Sequence, residues 1–381
     1  MLINIQLFLK YINLRMRIVH LSDIHLSKSN YDEFQNNYKN ALIKDLIAYH
    51  NSTPIDLIII TGDLVDKGGY SLFEIPAFKN EKCPYNIFEI VFLNPIIQAL
   101  KIDRHSILFI PGNHDIDERE ILLFDESEMI RNMNDANINN FLSENIIFKH
   151  SHRIRKFKEF EERYHDGNLS YEYSQNQSTY IFHDKISKTK VGFLLINDSW
   201  RCKSIKLAKD DTKHYFGIKQ FYDGLEFLDS QNTELNICLL HHSTDYYTER
   251  DAVIGILQRK NIELFLYGHF HNTETNVLYT PHGNCKGFRG RAALFKPEEK
   301  ESKYHSGYQI LDIDLNTFIL TQIHYRKYDN SEISKSFNMD LQTAPNYGID
   351  KNNSNNDKGF ELQREGRKNK RSELDINQFK S

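Results

Sequence analysis

The sequence predicts an α/β protein whose functional residues lie where strands end. Short apolar runs rich in Ile and Val recur along the chain and stop abruptly at polar residues, as buried strands do. Amphipathic helical patterns such as YKNALIKDLIAYH and FYDGLEFLDSQ separate these runs, and alternating strands and helices are typical of α/β folds. Because such folds bind ligands at the carboxyl ends of their strands, the polar residues there are candidates for one shared site.

Each of five predicted strands leads directly into a polar motif. In an extended segment residues i and i+2 face the same side, so the paired donors of DIH and GHFH can point into one cavity. Glycines before Asp63, Asn113 and His269 allow the backbone to turn sharply and approach closely. The strands and their motifs are Arg17–Leu21 with SDIH, Leu57–Ile60 with TGDLVD, Ile107–Ile110 with PGNHD, Ile237–Leu240 with HHST, and Leu264–Tyr267 with GHFH.

The composition is that of a globular protein in aqueous solution. The 381 residues are 40% hydrophobic and 26% charged, which is enough for a large core. A formal net charge of -4 provides no overall basic field for nucleic acid. The cysteines form no CxxC pair, which indicates neither a disulfide framework nor a thiolate zinc site and favours the cytoplasm. They are Cys83, Cys202, Cys238 and Cys285.

The first 15 residues, MLINIQLFLKYINLR, contain an apolar stretch interrupted by Lys10. This stretch is too short to span a bilayer and lacks a small-residue cleavage site, so no membrane association is predicted. Met16 begins MRIVHLSDIHL, where a strand pattern starts at once. We expect residues 1–15 to be an N-terminal surface extension or to reflect an upstream start.

Two other segments differ from the strand and helix pattern. A polar, helical insertion at about 118–170, which includes IIFKHSHRIRKFKEFEERYH, is interpreted as a solvated cap, with a substrate or nucleic-acid contact as the alternative.

Strands are expected after this insertion at SYEYSQ, STYIFH, KVGFLLIND, YQILDIDL and FILTQIHYRKY. Residues 339–381 are polar and rich in Asn and Lys, which is typical of a disordered tail. The main domain should therefore span 16–338.

The five motifs supply carboxylate, imidazole and amide donors but no sulfur. This mixed set suits Mn²⁺, Fe or Zn²⁺ better than Mg²⁺ or Ca²⁺, which prefer oxygen alone. Seven converging donors exceed the needs of one ordinary site. With one carboxylate shared, they suit two metals about 3.5–4 Å apart, an arrangement used for phosphoryl displacement.

The motif order Asp-x-His, Gly-Asp-x-x-Asp, Gly-Asn-His-Asp, His, Gly-His-x-His resembles the calcineurin-like metallophosphoesterase superfamily over about residues 16–330. The run NDSW at 197–200 and the insertion are most similar to its bacterial, broad-specificity phosphodiesterase branch. The resemblance implies a four-layer sandwich in which two mixed β-sheets pack face to face and helices flank them. The metal site would lie at the C-terminal ends of the strands.

The resemblance also implies two divalent transition metal ions, with Mn²⁺ preferred and Fe or Zn²⁺ as alternatives. His114 would stay off the metals and act on the phosphate, while Asp66 would hydrogen-bond that imidazole and fix its tautomer. Asp115 and His242 would support the ligands from behind. The implied ligands are Asp23, His25 and His271 for one metal, Asn113, His241 and His269 for the other, and Asp63 as the bridge between them.

Two assignments depend on neighbouring residues. Only one of His241 and His242 can point along the strand toward the metals, and His241 is chosen because it directly follows the apolar run and matches the family position. The letters ST follow this pair where the family often has prolines, a departure that affects loop shape and substrate access. Arg289 and Arg291, in GNCKGFRGRAA, are candidates for substrate phosphate contacts, with solvated loop arginines as the alternative.

The predicted function is hydrolysis of a phosphoester substrate, a phosphodiester in first place, by in-line attack of a hydroxide that bridges two metals. Two alternatives stay open. The same site would make a nuclease if the basic segment 149–163 or the tail gripped a nucleic-acid backbone. A catalytically silent interaction module would keep the fold without the reaction. The sequence predicts neither the particular substrate nor the oligomeric state.

Overall fold

The protein is described from a computed structural model. Fourteen strands and eight α-helices of four or more residues define its architecture in the described part of the chain, which comprises residues 14–134, 136–142, 152–202, 213–259, 262–271, 274–280, 283–294, 306–331, 335–340 and 360–361. The strands are β1 (Arg15–Leu21), β2 (Leu57–Thr61), β3 (Ile107–Ile110), β4 (Tyr171–Glu172), β5 (Gln177–His183), β6 (Lys190–Ile196), β7 (Leu235–Leu239), β8 (Ile262–Tyr267), β9 (Glu274–Thr280), β10 (Gly283–Arg289), β11 (Gly307–Asp314), β12 (Ile319–Asn330), β13 (Lys335–Met339) and β14 (Phe360–Glu361).

The helices follow the predicted amphipathic segments closely. In the amphipathic segment IFEIVFLNPIIQALK, a π-helical stretch (Glu89–Leu93) separates two α-helices. A second π-helical stretch (Phe34–Tyr38) precedes the first long helix. The α-helices are α1 (Lys39–Ser52), α2 (Pro84–Phe88), α3 (Asn94–Leu100), α4 (Leu123–Asn132), α5 (Ile138–Phe141), α6 (Arg155–His165), α7 (Lys219–Ser230) and α8 (Arg250–Arg259).

The strands form two mixed sheets. The first sheet has the order β13-β12-β11-β1-β2-β3, with β14 paired to β12, and its β1, β2 and β3 are parallel. The second sheet has the order β4-β5-β6-β7-β8-β10-β9, and its strands β6, β7, β8 and β10 are parallel to one another. In the first sheet the antiparallel strands lie on one side of the parallel group, whereas in the second they lie on both sides. The parallel strands therefore point their carboxyl ends toward one edge.

The two sheets pack face to face, and helices cover their outer faces. Alternate residues of β2 show this directly: Ile59 belongs to the cluster between the sheets, with Phe193 and Ile237 of the second sheet, whereas Ile58 and Ile60 face outward. Helices α1, α2, α3 and α6 cover the first sheet, and α7 and α8 cover the second. The predicted α/β class and its four-layer sandwich are confirmed.

Helix α6 lies within the segment that the sequence suggested as a solvated cap, but it packs on the first sheet. The spacing of Phe157, Phe160 and Tyr164 places three aromatic side chains on one helical face, and all three are buried. The ring of Phe160 stacks on that of Phe109 in β3, with 5.1 Å between the centroids. Helix α6 is therefore part of the outer helical layer, and two of its charged residues, Lys158 and Glu161, are buried as an ion pair.

The predicted chain ends lie almost entirely outside the described residues. Only Leu14 and Arg15 of the N-terminal extension are described, and β1 already begins at Arg15. Of the predicted tail, Met339, Asp340 and the short strand β14 are described. The domain boundaries at 16 and 338 therefore stay predictions. Within the described part of the chain, none of the helices combines the length and apolar character that a bilayer crossing requires.

Candidate metal centre

The loops that follow β1 and β2 run side by side at the carboxyl edge of the first sheet. The backbone N–H of Asp23 donates to the carbonyl oxygen of Gly62 at 3.1 Å, and that of His25 donates to the carbonyl oxygen of Asp63 at 2.8 Å. These bonds extend the pairing of β1 and β2 beyond the strands themselves. They bring the Asp-x-His and Gly-Asp motifs together, as the strand-end rule predicts.

Five of the seven predicted ligands adopt a left-handed backbone conformation. For residues other than glycine this conformation costs roughly 1–2 kcal/mol each, so the surrounding structure must hold it in place. Backbone strain of this kind concentrates at functional sites, where side chains are aimed in directions that regular strands do not allow. The five residues and their φ angles are Asp23 (51°), His25 (49°), Asp63 (56°), His269 (75°) and His271 (61°).

Asp23, His25 and His271 form the first group of predicted ligands. The Nε2 atoms of the two imidazoles are 3.2 Å apart, and Oδ1 of Asp23 lies 3.5 Å from Nε2 of His271 and 3.9 Å from Nε2 of His25. One donor atom from each residue therefore lies within 4.8 Å of the others. The structure brings together the three residues predicted to share one metal.

Asn113, His241 and His269 form the second group. Oδ1 of Asn113 lies 3.0 Å from Nε2 of His241 and 2.8 Å from Nδ1 of His269. Nδ1 of His241 is 2.8 Å from the carbonyl oxygen of Thr61, which can only accept, so Nδ1 carries the proton. A neutral His241 therefore has its lone pair on Nε2, the atom that faces Asn113.

Asp63 lies between the two groups. Its Oδ2 atom is 3.6 Å from Nε2 of His25 and 3.4 Å from Nε2 of His241. A side chain at Gly112 would prevent this placement, because its Cβ would lie 2.2 Å from Oδ1 of Asp63. The position of Asp63 is the one expected of a carboxylate shared by two metals, which is the role predicted for it.

His114 and Asp66 form a hydrogen-bonded pair beside these ligands. Nδ1 of His114 lies 2.7 Å from Oδ1 of Asp66, and the His114 ring meets the ring of His25 edge-on at 4.5 Å. Burial lowers the pKa of His114, but the Asp66 hydrogen bond and the Asp63 and Asp66 charges outweigh burial and raise it. The predicted contact of Asp66 with the imidazole is present in the structure.

Asp115 connects two loops of the first sheet. Its carboxylate accepts backbone N–H bonds from Gly112 at 2.8 Å and from Leu64 and Val65 at 3.1 Å each. The last two donors belong to the loop after β2, whereas Asp115 itself follows β3. Asp115 therefore fixes the position of the Asp63 loop relative to the Asn113 loop, which is a supporting role of the kind predicted.

Asp198 has the corresponding position in the second sheet, and sequence reasoning missed it. Its Oδ2 atom accepts the backbone N–H bonds of His241 at 3.1 Å and His242 at 2.8 Å, and the hydroxyl of Tyr247 at 2.6 Å. A signal was present, since the polar run NDSW follows the apolar strand β6. At the level of the sequence this run supports only the family resemblance, and no site role is predicted for Asp198.

A buried chain of hydrogen bonds supports Asp23 from behind, and it too was missed. The Gln309 amide donates to Nδ1 of His20 at 2.7 Å, so Nε2 of His20 carries the proton and faces the Thr61 hydroxyl at 2.8 Å. Thr61 donates to Ser22 at 3.0 Å, and Ser22 donates to Oδ2 of Asp23 at 2.5 Å. These residues are scattered in the sequence, and no local motif marks them.

The two candidate arginines have different surroundings. Arg291 is 2% exposed and forms a buried ion pair with Asp340, a placement that favours a structural role over contact with substrate. The Arg289 guanidinium lies over the rings of Tyr267 and Phe270, at 5.8 and 5.1 Å from their centroids. The suggested role of both in phosphate binding stays a prediction.

The residues present fit divalent cations. Asp23 and Asp63 are 0% and 1% exposed, and one oxygen of each lies within 4.8 Å of the other and of a His241 nitrogen. Burial lowers the pKa of His241, yet the carboxylates of Asp63 and Asp23 outweigh burial and raise it to about 10. The potential at this position therefore favours positive charge. Carboxylate, imidazole and amide donors together suit a borderline transition metal.

The chain belongs to the calcineurin-like phosphoesterase family, whose model matches residues 16–273. The predicted family is therefore confirmed. The chain is 23% identical over 283 residues to YydB of Bacillus subtilis (strain 168), described as an uncharacterized metallophosphoesterase-like protein. That match covers 71% of this chain and 52% of YydB, so the chain spans about half the length of this curated relative.

Two solved structures illustrate the similarity of fold. The calcineurin-like phosphoesterase YfkN from Bacillus subtilis has 12% identity and a TM-score of 0.41, covering 86% of this chain and 88% of that chain. A dimetal phosphatase from Danio rerio has 12% identity and a TM-score of 0.40, covering 78% of this chain and 92% of that chain. These similarities concern the fold alone.

Proposed function

We propose that this chain hydrolyses phosphodiesters at a site of two metal ions. One observation carries the proposal: six of the predicted ligands form two groups, the seventh, Asp63, lies between the groups, and the hydrogen-bonded pair of His114 and Asp66 lies beside them. The ligands alone would be compatible with a site that only binds metal. The adjacent imidazole, held in one orientation by a carboxylate, adds a group that can transfer a proton.

The chain's own residues would divide the work between binding and proton transfer. Asp23, His25 and His271 would hold one ion, the group around Asn113 the other, and Asp63 both. When bound, the ions would supply Lewis-acid activation of water and neutralisation of phosphoryl charge. The ligands need little movement for this, because backbone hydrogen bonds already hold their loops together.

The orientation of His114 defines its proposed role. Because the Asp66 carboxylate faces Nδ1, that nitrogen carries a proton and Nε2 is the atom available to the substrate. His114 would stabilise charge on a phosphoryl oxygen or protonate the leaving oxygen from this position. Asp66 is a positioning residue, since it acts through the imidazole and fixes its tautomer.

An assay with paired substrates tests the proposal. Purified protein would be given bis-p-nitrophenyl phosphate and p-nitrophenyl phosphate with Mn²⁺, with and without a chelator, beside the variant Asp63→Ala. We expect turnover of the diester that exceeds turnover of the monoester and that disappears with chelator and in the variant. Equal turnover in all conditions would exclude a metal-dependent reaction at this site, and a preference for the monoester would replace the diester in the proposal.

We propose Mn²⁺ as the preferred metal because the oxygen and imidazole donors suit it, with Fe and Zn²⁺ as the alternatives. Metal analysis of protein purified without chelators, followed by reconstitution of the metal-free protein with each ion, would decide among them. A protein that holds none of these ions at the site would instead support a catalytically silent interaction module.

The structure does not favour the nuclease alternative. On α6, the basic helix considered for gripping nucleic acid, Arg155 pairs with Glu159, and Lys156 pairs with Asp117. Lys158 and Arg163 likewise have carboxylate partners within the protein. Labelled single- and double-stranded DNA and RNA, incubated with Mn²⁺ at low salt, would test this alternative, because binding through phosphates weakens steeply as salt rises.

A further inference from the structure

A second set of metal-ligating side chains lies beside the predicted centre, in a buried position. Sγ of Cys202 is 3.8 Å from Nδ1 of His214 and 4.0 Å from Nε2 of His242. One donor atom of each residue lies within 4.8 Å of the others, and the two rings are 4.3 Å apart. The three residues are 8%, 8% and 1% exposed, respectively. A thiol and two imidazoles therefore converge in the interior.

The spacing of these atoms matches a tetrahedral zinc site. Bond lengths of about 2.3 Å for Zn–S and about 2.0–2.1 Å for Zn–N place sulfur and nitrogen ligands about 3.6 Å apart. The observed separations of 3.8 and 4.0 Å differ from that value by a few tenths of an ångström. A small inward movement of the side chains would give ligand spacing suited to the ion.

The surroundings of His242 also resemble those of a metal ligand. While Nε2 faces Cys202, Nδ1 is buried without a hydrogen bond and lies 3.3 Å from Oδ2 of Asp198, so a small rotation of the ring would let that carboxylate orient a metal-bound histidine. Burial lowers the pKa of His214, which keeps that imidazole neutral and able to bind a cation. Burial raises the pKa of Cys202, so a bound cation would displace a proton from the thiol.

We propose that Cys202, His214 and His242 bind a Zn²⁺ ion separate from the two ions of the predicted centre. The thiolate makes the site softer than the oxygen-rich centre and so selects Zn²⁺ over Mn²⁺. Binding forms one Zn–S and two Zn–N bonds and releases the thiol proton to solvent. The cysteine spacing of the sequence did not indicate this site, because its three ligands share no local motif.

The strongest alternative is that His242 serves the main centre. A His242 nitrogen also lies within 4.8 Å of nitrogens of His241 and His269, and the His242 and His269 rings are 4.6 Å apart. The two possibilities differ in one testable respect, since only the proposed site includes sulfur. A measurement specific to metal–thiolate bonds therefore separates them.

The test uses the full chain produced in medium where Co²⁺ replaces Zn²⁺. Co²⁺ bound to Cys202 would show a thiolate-to-cobalt charge-transfer band in the near ultraviolet, which oxygen and imidazole ligands cannot produce. We expect this band in the unmodified protein and its loss in Cys202→Ser. The matched control is Cys83→Ser, which removes a thiol that is not part of the three-residue cluster and should retain the band. Absence of the band from the unmodified protein would overturn the proposal, as would its persistence in Cys202→Ser.

Two further measurements keep the test decisive. If Cys202→Ser does not fold, His214→Gln replaces it, with the same loss expected and persistence again contradicting the proposal. Protein purified without added metal should contain about one more zinc ion per chain than either variant, and equal zinc content would contradict the proposal. The variant Asp63→Ala should lose phosphodiesterase activity but keep the cobalt band, so failure of the proposed function and failure of this site would be seen separately.

Discussion

The two sheets supply chemically different halves of the metal centre. Loops of the first sheet provide the carboxylates Asp23 and Asp63, whereas loops of the second provide only imidazoles. Each half contains a buried carboxylate that links the loops of two neighbouring strands: Asp115, after β3, accepts N–H bonds from the loop after β2, and Asp198, after β6, accepts them from the loop after β7. The difference lies in what each carboxylate holds, since Asp115 anchors the loop of the shared ligand Asp63, whereas Asp198 anchors the loop of His241.

The halves are joined by hydrogen bonds from histidines to the first sheet. His241 donates from Nδ1 to the Thr61 carbonyl oxygen, and the backbone N–H of His269 lies 3.1 and 3.2 Å from the Asp23 carboxylate oxygens. A change in either half should therefore reach the other through these contacts, through the side-chain contacts of Asn113 and His271, and through the shared Asp63. This comparison predicts an order of effects among substitutions.

The largest expected effect comes from Asp63, the carboxylate that both halves share. Asp63→Ala removes the oxygen lying 3.6 Å from His25 and 3.4 Å from His241, so neither metal should be held normally. We expect phosphodiesterase activity to fall to that of chelator-treated protein and bound metal to fall as well. Normal metal content with normal turnover would show that the halves do not meet at Asp63.

The next effect tests proton transfer in the first half. His114→Gln should lower kcat by about 10²–10⁴-fold, the usual contribution of a general acid or base, while metal content stays unchanged. Asp66→Asn should lower kcat less, by about 10–100-fold, because the imidazole remains but is no longer oriented by a carboxylate. An equal loss in both variants would mean that the pair acts as one unit, and loss of metal in His114→Gln would make His114 a ligand.

The two anchoring carboxylates provide the direct test of the comparison. Asp198→Asn should weaken binding of the ion held by His241 by about 10–100-fold and leave the other ion largely unaffected. Asp115→Asn should weaken both, because it separates the Asp63 loop from the Asn113 loop. Mn²⁺ titration followed by electron paramagnetic resonance would resolve the two binding steps.

The control for Asp198→Asn is Asp245→Asn, since Asp245 follows the same histidine pair but has an exposed side chain. It should change neither binding step. If Asp198→Asn weakened both ions equally, the second half would not be the separate unit that the comparison describes.

The sequence predicted the strand-end residues because each follows an apolar run at a fixed position, as in the two-residue spacing of Asp23 and His25. It could not predict their left-handed backbones, which depend on contacts with neighbouring loops. Asp198 and the cluster of Cys202, His214 and His242 were missed for a related reason: their partners are distant in sequence and become neighbours only when β6 and β7 pair. The aromatic face of α6 shows the same limit, since its pattern reveals an apolar face but not the sheet that covers it.

The smallest expected effect concerns a carboxylate that acts on stability and not on the metals. Asp312 of β11 is 0% exposed and pairs with Arg17 of β1, four residues before the end of that strand. Burial raises its pKa, but hydrogen bonds from Arg17 and His324 and the nearby positive charges outweigh burial and lower it from 3.8 to about 2. The folded protein therefore binds this proton less readily than the unfolded chain does.

The lowered pKa of Asp312 should contribute about 2 kcal/mol to the free energy of unfolding. This contribution should be present in full above about pH 4 and be lost as the pH falls toward 2. Urea denaturation at a series of pH values would measure it. Asp312→Asn should be less stable at every pH, because it leaves Arg17 buried without its charged partner, but it should lose this part of the pH dependence. If the free energy of unfolding of the variant fell with pH as steeply as that of the unmodified protein, the acid sensitivity would belong to other carboxylates, including those of the metal centre. The distinction between carboxylates that hold metals and carboxylates that stabilise the fold would then be weaker.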